Sequence, residues 1–78
     1  MNVDSLVTMA NQIGAFFETM PDRQQALADI AAHLQRFWEP RMRRALLQYV
    51  DEHGGTQLDG IVLQALRMHR ASILGPLA

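Results

Sequence analysis

Apolar residues recur along this chain in steps of three and four, with polar residues between them. Residues 3–20 carry Leu6, Met9, Ile13, Phe16, Phe17 and Met20 at that spacing. The pattern predicts a helix with one face turned to a core. Asp4 or Ser5 is placed to cap its start. Gly14 falls inside the run, where a glycine costs about 1 kcal/mol relative to alanine. A close helix crossing is the use expected for it. Pro21 then interrupts the pattern. Proline suits the first turn of a new helix, where its missing N–H is not needed. Asp22 adds favourable charge near that N-terminus.

The second helix carries Leu27, Ile30, Ala31, Leu34, Phe37 and Trp38. It ends as Glu39-Pro40 arrives, because the residue before a proline disfavours helical geometry. Glu39 is a poor cap, but Pro40 fits the first helical position. Trp38-Glu39 is therefore expected to be a tight corner, not a linker. The third helix is predicted over 40–52, with Met42, Ala45, Leu46, Tyr49 and Val50 inward and Leu47 left exposed. His53-Gly54-Gly55 ends it, since glycine accepts the left-handed conformation past a last turn. The fourth reaches about residue 70, with Leu58, Ile61, Val62, Ala65, Leu66, His69 and Ile73 on one stripe. It opens either with a Thr56–Asp59 capping box or with Asp59 itself as the cap. The second choice is preferred, because it keeps Gly60 at the helix edge.

No strand alternation, internal repeat or dividing linker interrupts these patterns. The expected fold is all-α: a compact four-helix domain with short loops, spanning 1–74, and a short tail at 75–78. At 78 residues, such a chain buries only about 60% of the surface its unfolded form exposes. It has no cysteine, so no disulfide or thiolate metal site staples it. A bound partner would stabilise a domain of this size through mass action.

Charge and chemistry narrow the function. The net charge is −1, which gives no general attraction to nucleic acid or anionic membrane. No run approaches the roughly 18 apolar residues of a membrane span. The opening residues lack the pattern of a signal peptide. A soluble, cytoplasmic protein is expected. His33, His53 and His69 lie on three separate elements with no pair at i and i+4, so no metal motif is written in the chain. Ser5 and Ser72 have no base near them in sequence, and no glycine-rich loop follows a strand. The chain is expected to be no enzyme by itself and to bind no cofactor.

The densest chemistry is HLQRFWEPRMRRAL, residues 33–46. Arg36, Arg41, Arg43 and Arg44 stand there against one acid, Glu39, for a net of +3 in a chain of net −1. Arg41 and Arg44 share a helix face; Arg43 points elsewhere. The cluster has three readings. It is a solvated face, a basic patch for nucleic acid, or a protein interface. A positive charge at a helix start is disfavoured by the dipole, and base readers carry a richer polar mix, so nucleic acid is the weaker reading. Arginine with tryptophan is typical of protein hot spots. Phe37, Trp38, Pro40 and Met42 supply apolar bulk beside the charge. Phe37 and Trp38 also continue the stripe of the second helix, so at least one of them is expected in the core.

LVTMANQIGAFF followed by MPDRQQALADIAAHLQRFWEPRMRRAL resembles the delta subunit of NAD-dependent, molybdenum-containing formate dehydrogenases. The family pattern runs MANQIA-F-F, then P-D-R, then I-A-HL-RFWDPRMR. Here it is matched by Met9 to Ile13, Phe16 and Phe17; by Pro21 to Arg23; by Ile30, Ala31, His33 and Leu34; and by Arg36 to Trp38 and Pro40 to Arg43. Glu39 stands where the family has Asp, and Gly60 follows Asp59 where a proline would suit better. The resemblance implies a cofactorless accessory subunit that supports assembly, stability or cofactor insertion of the large subunit. Molybdenum cofactor, iron–sulfur clusters, FMN and NAD are implied in the partner subunits. The implied contact residues are Asn11, Gln12, His33, Arg36, Phe37, Trp38, Pro40, Arg41, Arg43 and Arg44. In that reading Arg36, Arg41 and Arg43 present forks to acidic groups of the large subunit, and Asn11 and Gln12 make specific hydrogen bonds to it. His33 either joins this surface or hydrogen-bonds within the domain.

Overall fold

The structure is a computed structural model that describes residues 2–75. The described residues form helices joined by short loops, with no strand among them. Of the expected tail, 76–78 lies outside the described residues.

Helix α1 spans Val3–Phe17. Its cap is Asn2, not Asp4 or Ser5: the Asn2 side chain accepts from the Asp4 amide at 2.8 Å. An asparagine in extended geometry satisfies one of the amides that a helix start leaves free. The helix stops three residues short of Met20. The Thr19 hydroxyl donates to the Phe16 carbonyl at 2.9 Å, and Pro21 turns Met20 out of helical geometry.

Helix α2 spans Arg23–Phe37. Asp22 is its cap and accepts from the Gln25 amide at 3.2 Å. Pro21 thus precedes the cap instead of occupying the first turn. The corner at Trp38-Glu39 is as expected: both residues are extended, and Pro40 opens α3, Pro40–His53. Glu39 makes no side-chain cap bond. Gly54 ends α3 at φ 78°.

The fourth predicted helix is two. Asp59 precedes α4, Gly60–Met68, and His69 leaves helical geometry at φ −112° and ψ 27° before α5, Arg70–Leu74. The break lets the last turn lie against both α2 and α3. Ile73 is fully buried there.

Helix α2 runs through the middle and touches all the others. Leu27, Ile30 and Leu34 meet Ile61, Val62 and Leu66 of α4, Leu46 and Leu47 of α3, and Ile73 in one core. Burying an aliphatic side chain of this kind contributes about 1.5–3 kcal/mol. The Cα radius of gyration is 11.2 Å, close to the roughly 11.5 Å that a compact chain of this length has.

Two helices face the core differently from the large-residue pattern. On α1 the buried residues are Leu6, Val7, Ala10 and Gly14. Met9 and Phe16, expected inward, are 39% and 72% exposed. The cause is the α1–α4 crossing. A Cβ on Gly14 would overlap the Cγ2 of Val62, with Ile61 Cγ2 3.2 Å away. The small residues let the backbones approach, as the position of Gly14 suggested. On α3 the buried residues are Arg43, Leu46 and Leu47, while Met42, Ala45, Tyr49 and Val50, expected inward, pack half-buried against the same core. Leu47, expected exposed, is 2% exposed.

Candidate functional site

The turn of α1 leaves part of its apolar arc facing water. An open groove of ≈ 500 Å³ runs between α1 and α2, lined by Met9, Gln12, Ile13, Phe16, Phe17, His33 and Trp38. Its aromatic rings form a chain. Phe16 meets Phe17 edge to face at 5.0 Å between centroids. Phe17 lies 6.3 Å from the His33 ring, and His33 lies 4.8 Å from Phe37. The spacing follows from helix geometry: His33 and Phe37 are one turn apart and stand on one face. Phe37 is 67% exposed at the edge of this cluster. Of the four large apolar side chains exposed among the described residues, Met9 and Phe16 line the groove and Phe37 lies beside it on the His33 ring. Contiguous exposed apolar surface marks an interaction site more often than scattered residues do.

The cationic corner lies next to it in sequence. Arg36, Arg41 and Arg44 are exposed. The described ion pairs are Arg70–Asp51 at 2.7 Å and an exposed His53–Glu52 contact; these three arginines are in neither. Arg36 lies in the last turn of α2, one turn beyond His33, while Arg41 and Arg44 share the outer face of α3. Pro40 is exposed at the start of α3.

Three expected contact residues serve the domain itself. Arg43 is only 7% exposed and donates from Nη1 to the Ile73 carbonyl at 2.7 Å; its Nε has no partner. It is not an outward fork. It holds a carbonyl near the end of α5, where a cation is favourable to the dipole. Trp38 is 6% exposed and belongs to the core, with only its edge in the groove. Of the two aromatics, Trp38 turns in and Phe37 turns out. Asn11 faces the loop before α4: its Nδ2 donates to the Gln57 carbonyl at 3.0 Å, and its Oδ1 accepts from the Asp59 amide at 2.8 Å. Both polar ends of Asn11 are thereby used; Asp59, preferred as the cap of α4, stands at the cap position but makes no side-chain cap bond. Gln12 is exposed on the groove wall. His33 is half-buried between the rings.

The large-residue stripe assigned Met9, Ile13, Phe16 and Phe17 to the core alone. The signal for a second role was the width of the apolar arc on α1. It holds Leu6, Val7, Ala10 and Gly14 as well, more than one crossing can cover.

Among the described residues no three His, Cys, Asp or Glu side chains come together as metal ligands. A wider hollow of ≈ 700 Å³ between α1 and α3 is lined by Asp4, Tyr49, Glu52 and His53 among others. Glu52 and His53 are both well exposed there, so nothing isolates them from water. No described helix is long and apolar enough to cross a membrane.

The fold and the groove together describe a small helical domain with an apolar face left open. The family model described as NADH-dependant formate dehydrogenase delta subunit FdsD matches residues 5–66. The chain belongs to this family of non-catalytic accessory subunits. No curated protein and no solved structure matches the chain. The matched span holds α1 to most of α4, and with them the groove and the corner. The resemblance seen in the two quoted segments is thus shown over most of the chain.

Proposed function

We propose that this chain binds the large molybdenum-containing subunit of a cytoplasmic NAD-dependent formate dehydrogenase and supports its assembly, its stability or the insertion of its cofactor. One observation carries the reading: in a chain of 78 residues, Phe16, 72% exposed, lines an apolar groove, and Phe37, 67% exposed, extends that surface from its contact with the groove's His33. A chain this small has little apolar surface to spare for water. Covering that face with another polypeptide stabilises both partners. Arg36, Arg41 and Arg44, with no acid of their own among the described residues, supply complementary charge for the partner. The molybdenum cofactor, iron–sulfur clusters, FMN and NAD belong to the partner subunits in this reading.

The test is size-exclusion chromatography of the co-expressed enzyme with and without this chain, with molybdenum measured in each peak. Co-elution with the large subunit is expected. If omission lowers molybdenum while the other subunits still assemble, the role is cofactor insertion. Loss of the assembled peak with molybdenum retained places the role in stability. A chain that elutes alone, and instead binds nucleic acid with a steep salt dependence, refutes the proposal.

A further inference from the structure

We propose that the groove between α1 and α2 seats a helix of the large subunit, one with apolar side chains on a single face and a carboxylate beside them. This rests on the reading above and deepens it by naming the surface and the chemistry of its occupant. The walls of the groove are helix ridges. Met9, Ile13 and Phe16 rise from α1 in steps of four and three. On the α2 side His33 and the edge of Trp38 line it, and Phe37, four residues past His33, packs on the His33 ring just beyond the lining. A third helix packs into such a channel by setting its own ridges between those of the walls.

Polarity selects a helix over an extended segment. Gln12 and His33 are the polar side chains in the lining. An extended chain would lay unpaired amides and carbonyls over that apolar floor, and buried backbone groups without partners are strongly disfavoured. A helix satisfies its own backbone and offers only side chains. Charge then fixes the flank. Arg36 stands one turn from His33 on the same side of α2, exposed and in no described ion pair. A carboxylate near the apolar face of the occupant would meet its guanidinium fork.

A second copy of this chain fits less well. A twofold pair of this face supplies a second Arg36 and no carboxylate from the lining to meet either one.

The experiment uses the large subunit co-expressed with the full chain. A photo-cross-linking amino acid placed at position 16 is expected to capture the large subunit in a segment with apolar residues three and four apart and an acid nearby. Phe16→Ser with Phe37→Ser is expected to weaken the complex about thirtyfold or more, the loss typical of hot-spot aromatics. Both side chains are exposed, so the isolated chain should still melt cooperatively, lowered only by the loss of the ring contacts to Phe17 and His33. Arg36→Glu, also at an exposed site, should weaken binding and should lose that effect at high salt. Wild-type affinity in the double serine variant, or a cross-link to a second copy of this chain, overturns the groove proposal and leaves the accessory-subunit reading standing. Failure of the unmodified chain to bind the large subunit overturns both.

Discussion

Gly14→Ala sets two measurable effects against each other. Alanine is favoured over glycine inside a helix by about 1 kcal/mol, so local propensity alone forecasts a more stable domain. The crossing forecasts the opposite. The new Cβ would overlap Val62 Cγ2, and Ile61 Cγ2 lies 3.2 Å from it. Val62 has no exposed surface, and Ile61 has almost none. Valine is stiff at χ1, so its methyl cannot swing aside; α1 and α4 must separate. Overpacking of this kind costs typically about 1–3 kcal/mol, and more when the backbone has to move. At the upper end it outweighs the propensity gain, for a net loss of about 1–2 kcal/mol. In a chain of this length each kilocalorie shifts the melting temperature by about 6 °C.

Thermal melts followed by circular dichroism should therefore show Gly14→Ala lower than wild type by about 6–12 °C. Gly60→Ala is the control. It sits at the start of α4 with no atom within 4 Å of the added Cβ, and it should leave the melting temperature level or higher. Val62→Ala removes the obstructing methyl groups, so its combination with Gly14→Ala should be less damaging than the two losses added together. An increase in melting temperature for Gly14→Ala, matching Gly60→Ala, would refute the close crossing and the orientation of α1 that depends on it.

Two more substitutions probe the side chains that turn inward. Asn11→Ala removes both bonds to the loop before α4 and should destabilise by about 1–3 kcal/mol; hydrogen exchange at the Asp59 amide should accelerate more than at core amides of α2. Arg43→Ala leaves the Ile73 carbonyl without its donor and opens a cavity, for a loss of about 2–4 kcal/mol. Arg43→Met keeps most of the bulk and should lose less. If both Arg43 variants melt like wild type while binding to the large subunit fails, Arg43 faces the partner and its inward placement is wrong.

Local rules made much of this protein legible before its tertiary structure. Period, proline and glycine describe neighbours along the chain, so α2, the Trp38-Glu39 corner and the Gly54 stop follow from sequence alone. The density of arginine and aromatic residues in 33–46 is likewise visible without any coordinates, but not which of them face outward. The choice of face did not follow. On α1 the apolar arc is wider than the area another helix covers, and both Met9-Phe16 and Ala10-Gly14 lie within it. Counting large side chains selects the first pair. Packing selected the second, because small residues let α4 come close and bury Ile61 and Val62. The same turn, by most of one residue's step around the helix, brought Leu47 and Arg43 inside on α3.

Sequence by itself thus determined the all-helical class, the places where the chain turns and the inventory of residues available for binding. Tertiary structure decided which aromatics stay in water and which arginines stay exposed outside the described ion pairs. The physical reason is range. Helix formation depends on contacts within about four residues, whereas the Arg43–Ile73 and Asn11–Asp59 bonds join residues 30 and 48 apart, and nothing in the local pattern encodes them.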